Sequence, residues 1–144
     1  MRLSRKSDYA LRAVKHLATL PKGKLGSINS IAEAELIPRE FLAKILKDLT
    51  MSGILVSYQG VKGGYRLDSL PKDISFLNVM EAIDGPMHLN LCTEEGENRC
   101  KNSKDCPMKP FWENQEALFK KALTKEHFGK YKNAKKSSAK KGKK

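Results

Sequence analysis

The sequence predicts a mainly α fold with a small β-hairpin, and three observations predict it. Several stretches repeat apolar residues at helical spacing. One run of strand formers, Ile54-Leu55-Val56-Ser57-Tyr58, reaches Tyr65-Arg66-Leu67 through a glycine-rich tip. Breakers such as Pro21, Gly23, Pro38 and Gly85-Pro86 fall between these stretches.

In chain order, the first helix is expected from Asp8 to Leu20, where Ala10, Ala13, Val14, Leu17 and Ala18 share one stripe. Pro21 and Gly23 stop it. Ser27 is placed to cap a short second helix through Ile28, Ile31, Ala32 and Leu36, which Pro38 keeps from passing Ile37. Pro38 itself suits the first turn of a third helix. Phe41, Leu42, Ile45, Leu46 and Leu49 give that helix its apolar face, while Arg39, Glu40, Ala43, Lys44 and Lys47 point elsewhere. Ser52-Gly53 ends it, and the hairpin follows with the tip Gln59-Gly60-Val61-Lys62-Gly63-Gly64. Beyond Pro71, the segment Ser75 to Ile83 reads as a helix through Leu77, Val79, Met80 and Ile83. Residues 87–109 show no clear period and hold the cysteines. From Phe111 to Leu123, the residues Trp112, Ala117, Leu118, Phe119, Ala122 and Leu123 predict a last helix, exposed enough to want a partner, which a homodimer supplies.

A chain of 144 residues suffices for one domain with a proper core and an appended dimerisation element. Its 28 Lys+Arg against 16 Asp+Glu give a net charge of +12 that is unevenly spread. Residues 1–72 carry 13 basic and 6 acidic side chains, residues 73–129 carry 7 and 10, and residues 130–144 carry 8 lysines and no acid. The basic amino-terminal half points to a polyanionic partner, for which nucleic acid is the usual case. The Lys-rich end is too poor in apolar residues to offset its ordering entropy, so disorder is expected there, either adding salt-sensitive phosphate attraction or only solubilising the chain. No stretch approaches the roughly 20 apolar residues that span a bilayer, which leads to the expectation of a cytoplasmic protein without a membrane partner. An enzyme is not expected, because His16, His88 and His127 fall in unrelated contexts and no nucleophile-base or paired-carboxylate pattern stands out.

The second helix, the turn Leu36-Ile37-Pro38 and the third helix have the form of a helix-turn-helix, whose second helix enters the DNA major groove by its amino-terminal end. That assigns Arg39, Glu40, Ala43 and Lys44 to the groove, with Lys47 further along. Arg39 and Lys44 can reach guanine edges or phosphate, and Glu40 can accept from cytosine amino groups. The same residues would equally form the solvated face of an ordinary amphipathic helix. The hairpin decides between these readings, since a slim tip of Gly60, Gly63 and Gly64, with Gln59, Lys62 and Arg66, suits a wing that approaches the minor groove. A phosphate-cradling nucleotide loop is disfavoured, because the glycines lack its spacing and lie between strands.

Three cysteines cannot make a complete disulfide set, and their spacing Cys92-x7-Cys100-x5-Cys106 in a charged loop reads as metal binding or thiol reactivity. A three-cysteine, one-histidine zinc finger would need a histidine at position 110, where Pro110 stands. Three thiolates also suit an iron-sulfur cluster with a weaker fourth ligand, which leaves one iron open to oxidants or nitric oxide. A zinc-stabilised nucleic-acid-binding module without a sensing role and a cluster-free switch by cysteine oxidation are the alternatives.

Several of these segments together resemble the IscR/NsrR-type, or Rrf-two, family of bacterial regulators over about residues 1–128. The carriers are Met1-Arg2-Leu3-Ser4 with Asp8-Tyr9-Ala10-Leu11-Arg12-Ala13, the helix Ile37-Pro38-Arg39-Glu40-Phe41-Leu42-Ala43-Lys44-Ile45-Leu46, the wing Gly60-Val61-Lys62-Gly63-Gly64-Tyr65-Arg66-Leu67, the segment Val79-Met80-Glu81-Ala82-Ile83-Asp84-Gly85-Pro86 and the three cysteines. The resemblance implies a winged helix-turn-helix dimerised through its long carboxy-terminal helix, with a [4Fe-4S] or [2Fe-2S] cluster on Cys92, Cys100 and Cys106 that gates binding to a double-stranded operator. IscR-like members take a histidine three residues after the last cysteine as fourth ligand, whereas this chain has Lys109. NsrR-like members instead match at Asp8, where an aspartate ligates the cluster of the other subunit. The first cysteine gap is longer than in the best-known members, and Gln59 and Val61 replace an arginine and a proline of the IscR-like wing. The expected organisation is a DNA-binding domain over 1–72, a sensor loop (87–109) with dimerisation helices over 73–129, and a disordered tail over 130–144.

Overall fold

Ser4 accepts a hydrogen bond from the Ser7 amide at 3.0 Å and so starts helix α1 (Arg5–Thr19) one turn before the apolar stripe indicates. In this computed structural model, which describes residues 2–96 and 100–133, Ala10, Ala13, Val14, Leu17 and Ala18 of α1 are all buried, as their spacing predicts. Helix α2 (Ile28–Glu35) is capped by Ser27, whose side chain accepts from the Ser30 amide at 3.1 Å. Its end differs from expectation. Leu36 leaves the helix in the left-handed conformation, φ 55° and ψ 47°, and is 83% exposed instead of lying on the apolar face. A leucine resists that conformation at a cost of about 1 kcal/mol or more, which the flanking helices outweigh by holding the turn tight.

Helix α3 (Arg39–Met51) follows directly on Pro38. Leu42, Ile45, Leu46 and Leu49 are fully buried, but Phe41 stays 55% exposed, its ring edge-on to Tyr9 with centroids 6.4 Å apart. Strands β1 (Leu55–Tyr58) and β2 (Gly64–Leu67) pair antiparallel from Leu55↔Leu67 to Tyr58↔Gly64. Gly26 adds a third, one-residue partner, exchanging two 2.8 Å backbone hydrogen bonds with Tyr65. The hairpin is thereby anchored to the loop between α1 and α2.

Helix α4 (Phe76–Asp84) has a reciprocal cap, in which Ser75 and Asn78 each accept from the other's backbone amide. Gly85, at φ +81°, ends it. Helix α5 (Lys109–Lys125) extends two residues beyond the expected span at each end and rests on α4 and on the short turn Leu91–Thr93.

After α5 the chain turns back as a single 3-10 turn, Phe128–Tyr131, and the least anticipated core residue sits there. Phe128 is 1% exposed and stacks on Phe76 at 5.0 Å, while the Phe128 amide donates to Ile74 O at 3.1 Å and the Phe76 amide to Glu126 O at 2.8 Å. Tyr131 packs against the same rings and donates to Glu126 at 2.6 Å, so residues 130 and 131 belong to the folded part, against the expectation of disorder from residue 130. Residues 134–144, the rest of that tail, lie outside the described residues. Phe128, Ile74 and Val79 join the α1–α3 side chains in one continuous core that crosses position 72.

Phe128→Ala should therefore destabilise the protein by about 3–5 kcal/mol in urea unfolding, the usual loss for a buried phenylalanine. Lys121→Ala, on the exposed side of α5, should change it by less than about 0.5 kcal/mol.

Candidate nucleic-acid interface and cysteine loop

Arg39, Glu40, Ala43, Lys44 and Lys47 are all exposed on α3, because the opposite face is taken up by the core. The turn before α3 is braced from α1. Glu35, at the end of α2, receives Lys15 Nζ at 2.9 Å and has His16 Nδ1 at 3.7 Å, and Arg12 reaches its backbone oxygen at 3.4 Å. Arg39 is the one groove candidate with a fixed side chain, its Nε donating to Asn29 Oδ1 at 2.8 Å. Sequence reasoning did not single out Asn29.

At the hairpin tip, Gln59, Gly60 and Lys62 are exposed, and Val61 projects fully into solvent. The glycines differ in role. Gly60 is needed for its φ of +108°, whereas a side chain on Gly63 would strike the backbone of Tyr58 and Gln59, and one on Gly64 would strike Gly26 O. Gly63 thus lets the hairpin close on itself, and Gly64 lets it approach the loop at Gly26. Arg66 also serves the hairpin, since Nε and Nη2 donate to Tyr58 Oη at 3.1 and 2.7 Å and the guanidinium lies 5.4 Å from that ring's centroid.

The three cysteines are free and half-buried on the segment between α4 and α5. Cys92 lies in the Leu91–Thr93 turn, Cys100 O accepts from the Ser103 amide at 3.2 Å, and Cys106 O accepts from the Lys109 amide at 3.2 Å as α5 begins. Among the described residues, no three Cys, His, Asp or Glu side chains converge on one point; Glu97, Asn98 and Arg99, between the first two cysteines, lie outside them. The donor chemistry nonetheless fits an iron-sulfur group or another soft metal, with three accessible thiols on a loop anchored at both ends. Asp8, on α1, is half-exposed and paired with Arg12 at 2.6 Å. It is not gathered with the chain's own cysteines.

Glu116 of α5 anchors the amino-terminal end of the loop. It is 8% exposed, yet it accepts from the Leu89 amide at 2.9 Å and pairs with Lys120 at 3.1 Å. His88 Nδ1 stands 3.4 Å away, close enough to pair when protonated but not aimed as a hydrogen bond. Burial opposes ionisation of this carboxyl, but hydrogen bonds from Thr93, Leu89 and Lys120 together outweigh it and hold the pKa at about 2, below the ordinary 4.5. The signal was present in the sequence, because Glu116 lies four residues after Trp112 and seven before Leu123, on the inward side of α5. At the far end of α4, Asp84 accepts from Ser4 at 2.7 Å and from the buried Ser7 at 2.6 Å. The segment carrying the cysteines is thus tied through α5 and α4 to the start of α1.

Because its folded pKa is depressed, ionised Glu116 contributes stability above about pH 4.5 that is lost as the pH falls towards 2. Glu116→Gln should be less stable than the parent at pH 7, and the gap between them in thermal unfolding should close progressively below pH 4.5.

Among the described residues no helix is long and apolar enough to cross a membrane. The Rrf2 family, described as iron-dependent transcriptional regulators, matches residues 3–130. A putative HTH-type transcriptional regulator of Mycobacterium tuberculosis (strain ATCC 25618 / H37Rv) is 39% identical over 87 residues, 60% of this chain and 54% of that protein. This chain thus spans about half the length of the first such relatives. The HTH-type transcriptional regulator NsrR of Shouchella clausii is 30% identical over 109 residues, 76% of this chain and 73% of that one. The structures of T. potens IscR and of CymR, the global cysteine regulator of B. subtilis, share the fold with TM-scores of 0.75 and 0.73, each at 22% identity. The first covers 99% of this chain and 94% of that one, the second 92% and 96%. The family and these relatives are transcriptional regulators and not enzymes. With the family pattern running from residue 3 to 130 over a shared mainly helical fold with one hairpin, the chain belongs to the Rrf2 family of transcriptional regulators.

Proposed function

We propose that this chain is a cytoplasmic bacterial regulator that binds double-stranded operator DNA as a homodimer and is controlled by an iron-sulfur cluster on Cys92, Cys100 and Cys106. The observation that carries the DNA reading is the exposed row Arg39, Glu40, Ala43, Lys44 and Lys47 on α3, together with an anchored wing bearing Gln59, Gly60 and Lys62. Gly63, Gly64 and Arg66 serve this interface by shaping the wing. The dimer reading rests on α5, where Phe111, Leu118 and Phe119 are exposed. The cluster reading rests on the three free thiols, the iron-dependent family description and the NsrR relative. When bound, such a cluster supplies a group that oxidants or nitric oxide attack. The chain's own part is to carry its cysteines on a segment anchored at Glu116 and at the start of α5, with Asp8 of a partner subunit as the proposed fourth ligand.

Protein purified without oxygen should be coloured and hold iron and acid-labile sulfide, both lost in Cys92→Ala, Cys100→Ala and Cys106→Ala. Asp8→Ala should alter the visible spectrum. Colourless protein holding zinc would replace the cluster with a structural metal, and colourless metal-free protein would leave a thiol switch. In DNA binding, Lys44→Ala should lower affinity and, if Lys44 contacts phosphate, reduce the slope of log K against log salt by about 1 unit. Leu118→Glu should shift sedimentation from dimer to monomer, since a buried unpaired carboxylate opposes the proposed α5 contact.

A further inference from the structure

Arg39 is the first residue of α3, where a helix-turn-helix brings side chains to base edges. Arg39 is exposed, yet it is not loose. Asn29, in the first turn of the neighbouring α2, accepts from Nε at 2.8 Å. Nothing else among the described residues engages Arg39, and no carboxylate pairs with it. The one bond therefore uses the side edge of the planar fork and leaves Nη1 and Nη2 open at its end.

That geometry selects among base pairs. An end-on fork offers two parallel donors and needs two acceptors side by side on the base edge. In the major groove only guanine presents such a pair, O6 and N7. Adenine places an amino donor beside N7, thymine offers one oxygen beside a methyl group, and cytosine offers an amino donor. Holding the fork in advance also removes part of the rotamer freedom that arginine would otherwise lose on binding.

We infer that Asn29 is a positioning residue that presents Arg39 end-on to a guanine in each operator half-site. This rests on the DNA-binding reading above and adds to it a base preference and a residue outside the recognition helix.

The test uses the full chain in its DNA-binding state and duplexes selected by the wild type from a random-sequence pool. One guanine per half-site should be replaceable by adenine only with a loss of roughly 5- to 150-fold in affinity, the range of a good bidentate pair. Its replacement by 7-deazaguanine, which lacks only the N7 acceptor, should also weaken binding. Arg39→Ala should abolish discrimination at that base pair and at no other. Asn29→Ala should shrink the discrimination ratio by about 2- to 12-fold, the cost of ordering one long side chain. Asn29→Asp keeps the oxygen acceptor and should restore the ratio, even if its charge lowers affinity uniformly. An unchanged ratio in Asn29→Ala, or an equal loss of affinity for every base, overturns the positioning role. An Arg39-dependent position that is not guanine overturns the base assignment. A wild type that binds no duplex, with its metal or after chelation, overturns the DNA-binding reading itself.

Discussion

Close packing around α1 is the constraint on which the rest of the molecule depends. Ala10 and Ala13 expose no surface, and side chains this small let α3 and α4 approach the backbone of α1 from two sides. The same helix also meets α2, β2 and the Phe128–Tyr131 turn, so nearly every element is positioned by reference to it. A larger side chain at either alanine would push these elements apart together, because interiors packed at this density have no slack to absorb an added methylene. The exposed row on α3 and the wing keep their relative placement for this reason. One is packed on α1 directly, and the other is pinned by Gly26 in the loop that leaves it.

Polar ties extend that frame in both directions. Lys15 and Arg12 brace the turn of the helix pair through Glu35, and Ser4 with Ser7 hold Asp84 at the end of α4. From Asp84 the chain passes Gly85-Pro86 to His88 and Leu89, which gather at Glu116. A rearrangement of the cysteine segment that disturbs Glu116 would leave a buried carboxylate without its donors, an expensive state that favours a concerted response over a local one.

The local part of this architecture was legible in the sequence, and the long-range part was not. Ser27, Pro38 and Gly85 mark boundaries because caps and breakers act on their immediate neighbours. The stripe of α1 was readable because helical period alone decides which side is covered. Leu36 and Phe41 went the other way for tertiary reasons. The turn needed a left-handed residue where the apolar pattern suggested one more helical position, and Phe41 found a neighbouring ring in place of the core. Arg66 carried a charge that suited a wing, but the cross-strand position of Tyr58, visible only in the pairing register, gives it a local partner. Phe128 had no periodic context at all. Its burial follows from the path of the chain after α5, set by backbone bonds to Ile74 and Phe76 that no local pattern encodes.

That return path bears on the order of events during synthesis. The chain is made from its amino end, so Phe128 is added after every other member of the core it completes. Helices α1 to α4 are therefore made before the ring that stacks on Phe76. An amino-terminal core made without α5 and the turn after it would lack that ring, so completion of the core waits on the carboxy-terminal segment.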